Sequence, residues 1–183
     1  MRIIGGEARG RKIEAPAGRN TRPTLDRVRE NLFNMIQADV AGSRVLDLFA
    51  GSGALSLEAL SRGAESAVMA DIDRRATEVQ RRNIEALGYR SRTDVRTCDW
   101  YRTLQDLQNE HACFDLIFLD PPYAMNDLTE VFRNLIPLVT ADSIVILEHE
   151  AKREVNIGQG FECIKDRTWG FCGIRICRLN SES

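Results

Sequence analysis

The apolar positions change their period once along the chain. Between residue 24 and about residue 38 they recur at Leu25, Val28, Leu32, Met35 and Ile36, the spacing of one helical face, with Thr24 placed to cap the helix. From Arg44 onward, short apolar runs alternate with helical stretches. Residues 45–49, 67–71, 93–97, 114–119 and 143–148 read as strands, and several are continuously apolar, as strands covered on both faces are. Helices are expected after Gly53 through Leu60, over 74–87 with Asp73 as cap and Gly88 as stop signal, and over 101–109. Asp127-Leu128-Thr129-Glu130 has the form of a capping box for one more.

The two ends depart from this alternation. Residues 161–166 and 172–179 leave no room for a helix between them, so they should pair as a hairpin, the first parallel to the sheet and the last antiparallel. At the front, residues 2–6 and 10–14 suggest a short strand pair, followed by a turn-rich loop over 16–23. The fold expected is α/β and Rossmann-like: a mostly parallel seven-stranded sheet with an antiparallel last strand and helices on both faces. A small N-terminal β-hairpin and helix precede it. Residues 1–40 form that extension and 41–183 the main domain.

Composition refines this picture at three points. A chain of 183 residues with 43% hydrophobic content suits one α/β domain. With no apolar run long enough for a bilayer and no signal peptide at the front, a cytoplasmic protein without membrane contact is expected. The net charge of −2 conceals an asymmetry. Residues 1–29 carry eight basic side chains (Arg2, Arg9, Arg11, Lys12, Arg19, Arg22, Arg27, Arg29) against Glu7, Glu14 and Asp26. A basic front on an acidic body suits a polyanion gripped by the front alone. The five cysteines include no Cys-x-x-Cys, and four lie in or beside apolar stretches, which suggests buried free thiols. His111 and His149 lack metal-ligand spacing, so no metal is assigned.

The candidate chemistry lies at strand ends. Asp120-Pro121-Pro122-Tyr123 follows the fourth strand, on the edge where open α/β sheets bind ligands. Proline fixes φ and donates no backbone hydrogen bond, so this stiff turn offers a carboxylate, carbonyl oxygens and an aromatic face. Those groups suit a planar amine held between acceptors, its ring stacked on Tyr123. Gly51-Ser52-Gly53 after the first strand resembles a dinucleotide fingerprint, but Ser56 stands where that pattern needs glycine or alanine. Asp47 discriminates further, because a carboxylate at this mouth repels a pyrophosphate and attracts a cation. S-adenosylmethionine, which carries an ammonium and a sulfonium, fits where a nicotinamide dinucleotide does not. Asp71 at the second strand's end could take ribose hydroxyls. Asp99 after the third could accept from the adenine amine, with Ile72 or Trp100 covering the ring.

With these residues in hand, the chain resembles class I adenosylmethionine-dependent methyltransferases that modify exocyclic amines of nucleobases. The front narrows the likeness. Arg2-Ile3-Ile4-Gly5-Gly6, Arg9-Gly10-Arg11, Arg22-Pro23-Thr24, Asp26-Arg27-Val28-Arg29-Glu30 and Leu32-Phe33-Asn34 resemble the N-terminal signature of the RsmD family. Those bacterial enzymes methylate guanine N2 in 16S ribosomal RNA, at the nucleotide conventionally numbered 966. The resemblance implies S-adenosylmethionine as cofactor, held by Asp47, Phe49, Gly51, Gly53, Asp71, Ile72, Asp99 and Trp100, with Thr24 and Arg29 bordering its pocket. Asp120, Pro121, Pro122 and Tyr123 would serve catalysis. Arg9, Arg11, Lys12, Arg19, Arg22 and Arg29 would contact RNA, either 16S rRNA or the assembling 30S subunit. Nothing demands more than a monomer. The tail after Trp169 departs from the family, so core packing is expected for Trp169 and Phe171. Two alternatives stay open: an adenine-N6 methyltransferase on DNA or RNA, since that group shares the Asp-Pro-Pro-Tyr motif, and a non-catalytic RNA-binding assembly factor.

Overall fold

The computed structural model describes residues 1–15 and 23–180, and of Pro23 and Thr24 the backbone alone. Arg19, Arg22 and most of the turn-rich loop lie outside the described residues, as does the Thr24 side chain.

Seven strands form one sheet: β1 (Arg44–Asp47), β2 (Ser66–Asp71), β3 (Thr93–Thr97), β4 (Leu116–Leu119), β5 (Ile144–Glu150), β6 (Phe161–Trp169) and β7 (Cys172–Leu179). Their order is β3-β2-β1-β4-β5-β7-β6. The first five run parallel, and β7 is antiparallel to both β5 and β6. The expected hairpin and its reversed last strand are therefore present, although β6 runs three residues further than the apolar pattern suggested.

Period-two alternation divides the core between two faces. Val45, Leu116, Phe118, Ile144 and Ile146 join one cluster, while Leu46, Ile117, Leu119, Val145 and Leu147 join the other. The first face is covered by α1 (Pro23–Met35), α3 (Ala54–Ser61) and α4 (Arg74–Leu87), the second by α5 (Trp100–Asn109) and α6 (Thr129–Leu135). Asp73 caps α4 by accepting from the Arg75 amide at 2.8 Å, and Gly88 closes it at φ +75°, both as expected. The capping box is half formed. Asp127 accepts from the Thr129 amide at 3.0 Å, but Glu130 turns to Arg133 instead of reaching back.

Four expectations need correction. The first helix stops at Met35, and after Ile36, at φ −106° and ψ 14°, a short α2 (Gln37–Val40) follows, with Ile36 and Val40 both in the core. The front does not form paired strands. An isolated antiparallel bridge joins Arg2 to Lys12, with the Ile3 amide on the Arg11 carbonyl and the Ile13 amide on the Met1 carbonyl, both at 3.0 Å, and the pairing goes no further because the next amides bond elsewhere. The Ile4 and Gly5 amides donate to the buried Glu58 carboxylate, and the Glu7 and Ala8 amides to Ser61. All five cysteines are free, but only Cys177 is buried, its thiol pushed up to about 12 mainly by desolvation, and Cys163 is exposed. Trp169 packs against the core, but Phe171, in the two-residue turn between β6 and β7, is 85% exposed.

The front nevertheless shares the main core. Ile3, Ala8 and Ile13 join Val28, Leu32 and Phe33 of α1 in the first cluster. The Phe33 ring sits 5.9 Å from that of Phe118 on β4, which lays α1 across the sheet beside the carboxyl end of that strand.

Candidate active site

The chain leaves β1 toward β2 and β3 on one side and places β4 and β5 on the other, so the order reverses between β1 and β4. A ligand crevice belongs outside the carboxyl ends of strands at such a switch point. The cleft observed there has two adjoining lobes, with about 890 and 840 Å³ of empty space, mouths included, and Phe49, Gly51 and Asp120 lie on the wall of both.

The glycine turn between β1 and α3 divides the lobes. Gly51 and Gly53 have φ of 55° and 80°, a region that non-glycine residues enter only at a cost. A Cβ on Gly53 would stand 2.1 Å from Met69 Cε and push that buried side-chain tip aside, which adds to the backbone's own demand for glycine. The turn is held from below by polar side chains. Asp71 accepts from the Gly51 amide at 2.9 Å, Gln80 donates to the Gly51 carbonyl at 2.9 Å, and Asn83 to the Ser52 carbonyl at 3.1 Å.

The first lobe is lined by Asp47, Ala50, Ser52, Arg29, Asp120 and Glu148, with Met1, Leu25 and Leu32 closing its front. Asp47 is 1% exposed and accepts from the Ser56 hydroxyl at 2.8 Å. Burial dominates and raises its carboxyl to about 7, so it gains most from a cation that restores what water would have supplied. The second lobe is lined by Leu48, Phe49, Asp71, Ile72, Cys98, Asp99, Trp100, Pro122 and Met125. Asp71 also accepts from the Asp73 amide at 2.9 Å, and Asp99 caps α5 through the Arg102 amide at 2.8 Å. Each uses one or two acceptor sites of a carboxylate that has about four, which leaves capacity for a ligand's hydroxyl or amine. Ile72 is 74% exposed at the lobe's rim.

The motif residues divide: Asp120 lines both lobes and Pro122 the second, while Pro121 and Tyr123 line a smaller pocket beside them with Glu148, Glu150 and Arg153. Tyr123 is 69% exposed, and its carbonyl accepts from the Arg153 guanidinium. Its hydroxyl is pushed above the ordinary range by desolvation first, then by Asp120 and Glu148.

The basic front divides in two. Arg9, Arg11 and Lys12 are exposed, with the Arg11 guanidinium also donating to the Ala86 carbonyl. Arg29 is 6% exposed and paired with Asp26 and Glu58, and it donates to the Arg2 carbonyl. Its guanidinium pKa is lowered chiefly by desolvation. Such a group is not placed to grip an RNA phosphate, so its expected RNA contact is corrected. It belongs to the wall of the first lobe. The sequence reading also missed Glu148, although a carboxylate near the end of the fifth strand is the same signal that marked Asp71, Asp99 and Asp120. Glu58, Gln80 and Asn83 gave no signal, since mid-helix polar residues look like a solvated face.

Comparisons with known proteins bear on the family and the fold. Residues 1–178 match the family described as Conserved hypothetical protein 95. A Haemophilus influenzae protein named Ribosomal RNA small subunit methyltransferase D is 31% identical over 179 residues, covering 96% of this chain and 92% of that one. The Escherichia coli protein of the same name is 38% identical over 135 residues, covering 74% of this chain and 66% of its own length. Among solved structures, a hypothetical protein from Thermus thermophilus superposes with a TM-score of 0.81 at 30% identity, covering 98% of this chain and 99% of the other. Among the described residues no helix is long and apolar enough to cross a membrane, and no cluster of three or more metal-ligating side chains is found.

Proposed function

This chain belongs to the family described as Conserved hypothetical protein 95, together with the small-subunit methyltransferase D proteins, and on that premise we propose that it methylates the exocyclic N2 of a guanine in 16S ribosomal RNA. The reaction class is S-adenosylmethionine-dependent rRNA methylation, and the guanine is the one conventionally numbered 966. The observation that carries the proposal is that one acidic side chain, Asp120, faces both lobes of the cleft at the switch point.

The donor set fits the cofactor. The buried Asp47 is matched to the ammonium of its methionine end, with the Gly51–Gly53 turn and Arg29 beside it. Asp71 is matched to the ribose, and Asp99 with Ile72 and Trp100 to the adenine. Bound there, S-adenosylmethionine supplies a methyl group already activated on a sulfonium. Everything else falls to the chain.

An exocyclic amine is a weak nucleophile because its lone pair is delocalised into the ring. Asp120 and the Pro121 carbonyl accept its two hydrogens, letting the nitrogen become tetrahedral and expose that lone pair toward the place between the lobes where the methyl group would be held. Holding this pose can supply about 7–11 kcal/mol of the barrier. Asp120, or water beyond it, takes the proton released. Tyr123 stacks on the extruded base and replaces stacking lost from the RNA, worth about 1–3 kcal/mol. Arg9, Arg11 and Lys12 hold phosphates at the front.

The test is to incubate the protein with labelled S-adenosylmethionine and naked 16S rRNA, assembled subunits or DNA, then digest to nucleosides. N2-methylguanosine is expected, and N6-methyladenosine would replace this proposal with its nearest rival. Asp120→Ala should abolish turnover while S-adenosylmethionine still binds, and normal methyl transfer by that variant would remove Asp120 from the mechanism.

A further inference from the structure

An aromatic ring left 85% exposed needs an explanation when its position is fixed by the fold, and Phe171 is such a ring. It occupies the two-residue turn between β6 and β7, with Gly170 first at φ +59°, an arrangement suited to a tight hairpin turn. Because β7 is antiparallel to β5 and Glu150 pairs with Cys172, this turn lies at the sheet edge where β4 and β5 end. That is the edge carrying Asp120 and Tyr123. Only β5 separates β4 from β7, two strand spacings or about 10 Å across. Because Leu119 pairs with Leu147 while Cys172 pairs with Glu150, the hairpin stands three residues further along, so about 14 Å separates the end of β4 from the hairpin's last pair.

The two aromatics are joined by a short hydrogen-bonded turn. The Ala151 amide donates to the Phe171 carbonyl at 2.9 Å, and the Arg153 amide to the Glu150 carbonyl at 3.0 Å. The Arg153 guanidinium reaches the Tyr123 carbonyl. Tyr123, the 150–153 turn and Phe171 thus form one linked rim at this edge of the sheet, with Tyr123, Glu150 and Arg153 lining a common small pocket.

We propose that Phe171 is a second stacking platform on this rim, taking the base of a single-stranded RNA nucleotide that flanks the target. A strand rises about 3.4 Å per stacked nucleotide, so about 14 Å corresponds to roughly four positions, fewer where the strand is splayed. Single-stranded RNA is bound through unstacked bases laid on aromatic faces, and an exposed phenylalanine beside a base-binding tyrosine supplies such a face. Charge in the intervening turn is balanced, Lys152 and Arg153 against Glu150 and Glu154. The contact therefore draws on stacking more than on phosphate attraction. This inference rests on the proposed RNA substrate and adds a second subsite to it.

The experiment measures steady-state methylation of a 16S rRNA fragment by wild type, Phe171→Ala, Phe171→Trp and Phe171→Leu, at two salt concentrations. For Phe171→Ala the RNA KM should rise about 5- to 150-fold, the range for loss of one stacked base. The S-adenosylmethionine KM, kcat at saturating RNA and Tm should be unchanged. Phe171→Trp should restore the KM and Phe171→Leu should not, and the factor should be the same at both salt concentrations. An unchanged RNA KM for Phe171→Ala overturns the proposal, as does full rescue by leucine. Self-association of wild type in sedimentation that disappears in Phe171→Ala would instead make the ring a protein contact and also overturn it. Failure of wild type to methylate any RNA would reject the substrate assignment itself, a result separable from all of these.

Discussion

Asp47→Asn separates the energetic cost of the first lobe from its use. The Asp47 carboxyl is buried, and desolvation, only partly offset by hydrogen bonds from Ser56, moves it from 3.8 to about 7. In the unfolded chain it titrates in the ordinary carboxylate range. Between about pH 4 and 7 the folded state therefore binds more protons than the unfolded state, and stability falls as pH rises. At about 1.36 kcal/mol per unit, the loss from this one group is about 2–3 kcal/mol between pH 5 and pH 8. Asparagine is nearly isosteric, can still accept from Ser56, and carries no charge. Urea unfolding without cofactor should show wild type losing about 2–3 kcal/mol more than the variant over that interval, leaving the variant the more stable protein at pH 8. Cofactor binding has the opposite sign. The ammonium gains from an ionised partner, so S-adenosylmethionine affinity in wild type should climb by up to about tenfold per unit below pH 7 and flatten above it. The variant should bind about 10- to 150-fold more weakly above pH 7, the range for a lost hydrogen bond between charged groups. Parallel stability curves for the two proteins would refute the buried titration. A calorimetric affinity indifferent to pH in wild type would refute the ammonium assignment.

Three further outcomes follow from the same contacts. Glu58→Gln removes the charge facing the buried Arg29 and weakens the acceptor for the Ile4 and Gly5 amides, which should cost about 3–5 kcal/mol. Hydrogen exchange at those two amides should accelerate with it, and retained protection would show the front held by other means. Gly53→Ala combines a left-handed backbone with a methyl driven into Met69, so chemical unfolding should register about 2–4 kcal/mol of destabilisation. RNA affinity should fall with added salt, and the slope should be shallower when Arg9, Arg11 and Lys12 are replaced together by alanine; equal slopes would deny those residues a phosphate role.

The sheet was legible in the sequence because buried parallel strands are short continuous apolar runs, and the caps at Asp73 and Gly88 are local chemistry. The acids at strand ends were legible for the same reason: once the strands are placed, the cleft edge is placed. What escaped was decided by distant partners. The front reads as paired strands in isolation, yet its amides find Glu58 and Ser61, more than fifty residues away in the chain. Arg29 looks like one more exposed cation, and only the fold reveals that Glu58 and Asp26 bury it. Phe171 reads as core by composition, but a two-residue turn leaves its ring outside.

The same long-range contacts change what the basic front is. An appended RNA-binding arm would have its own small core and a mobile joint, whereas here Ile3, Ala8 and Ile13 lie in the core shared with β1 and β4. Gly6 approaches the Ser61 carbonyl so closely that a Cβ there would stand 1.9 Å from its oxygen. The tie continues to the cleft through one buried amide. Asn83 accepts from the Glu14 amide at 2.7 Å, donates to the Glu14 carbonyl at 2.9 Å and donates to the Ser52 carbonyl at 3.1 Å. One side chain therefore holds both the end of the front segment and the glycine turn, and moving either leaves a buried polar group unpaired. The boundary expected at residue 40 is thus crossed by continuous packing, so the proposed phosphate grip before it and the proposed methyl transfer after it would share one rigid frame.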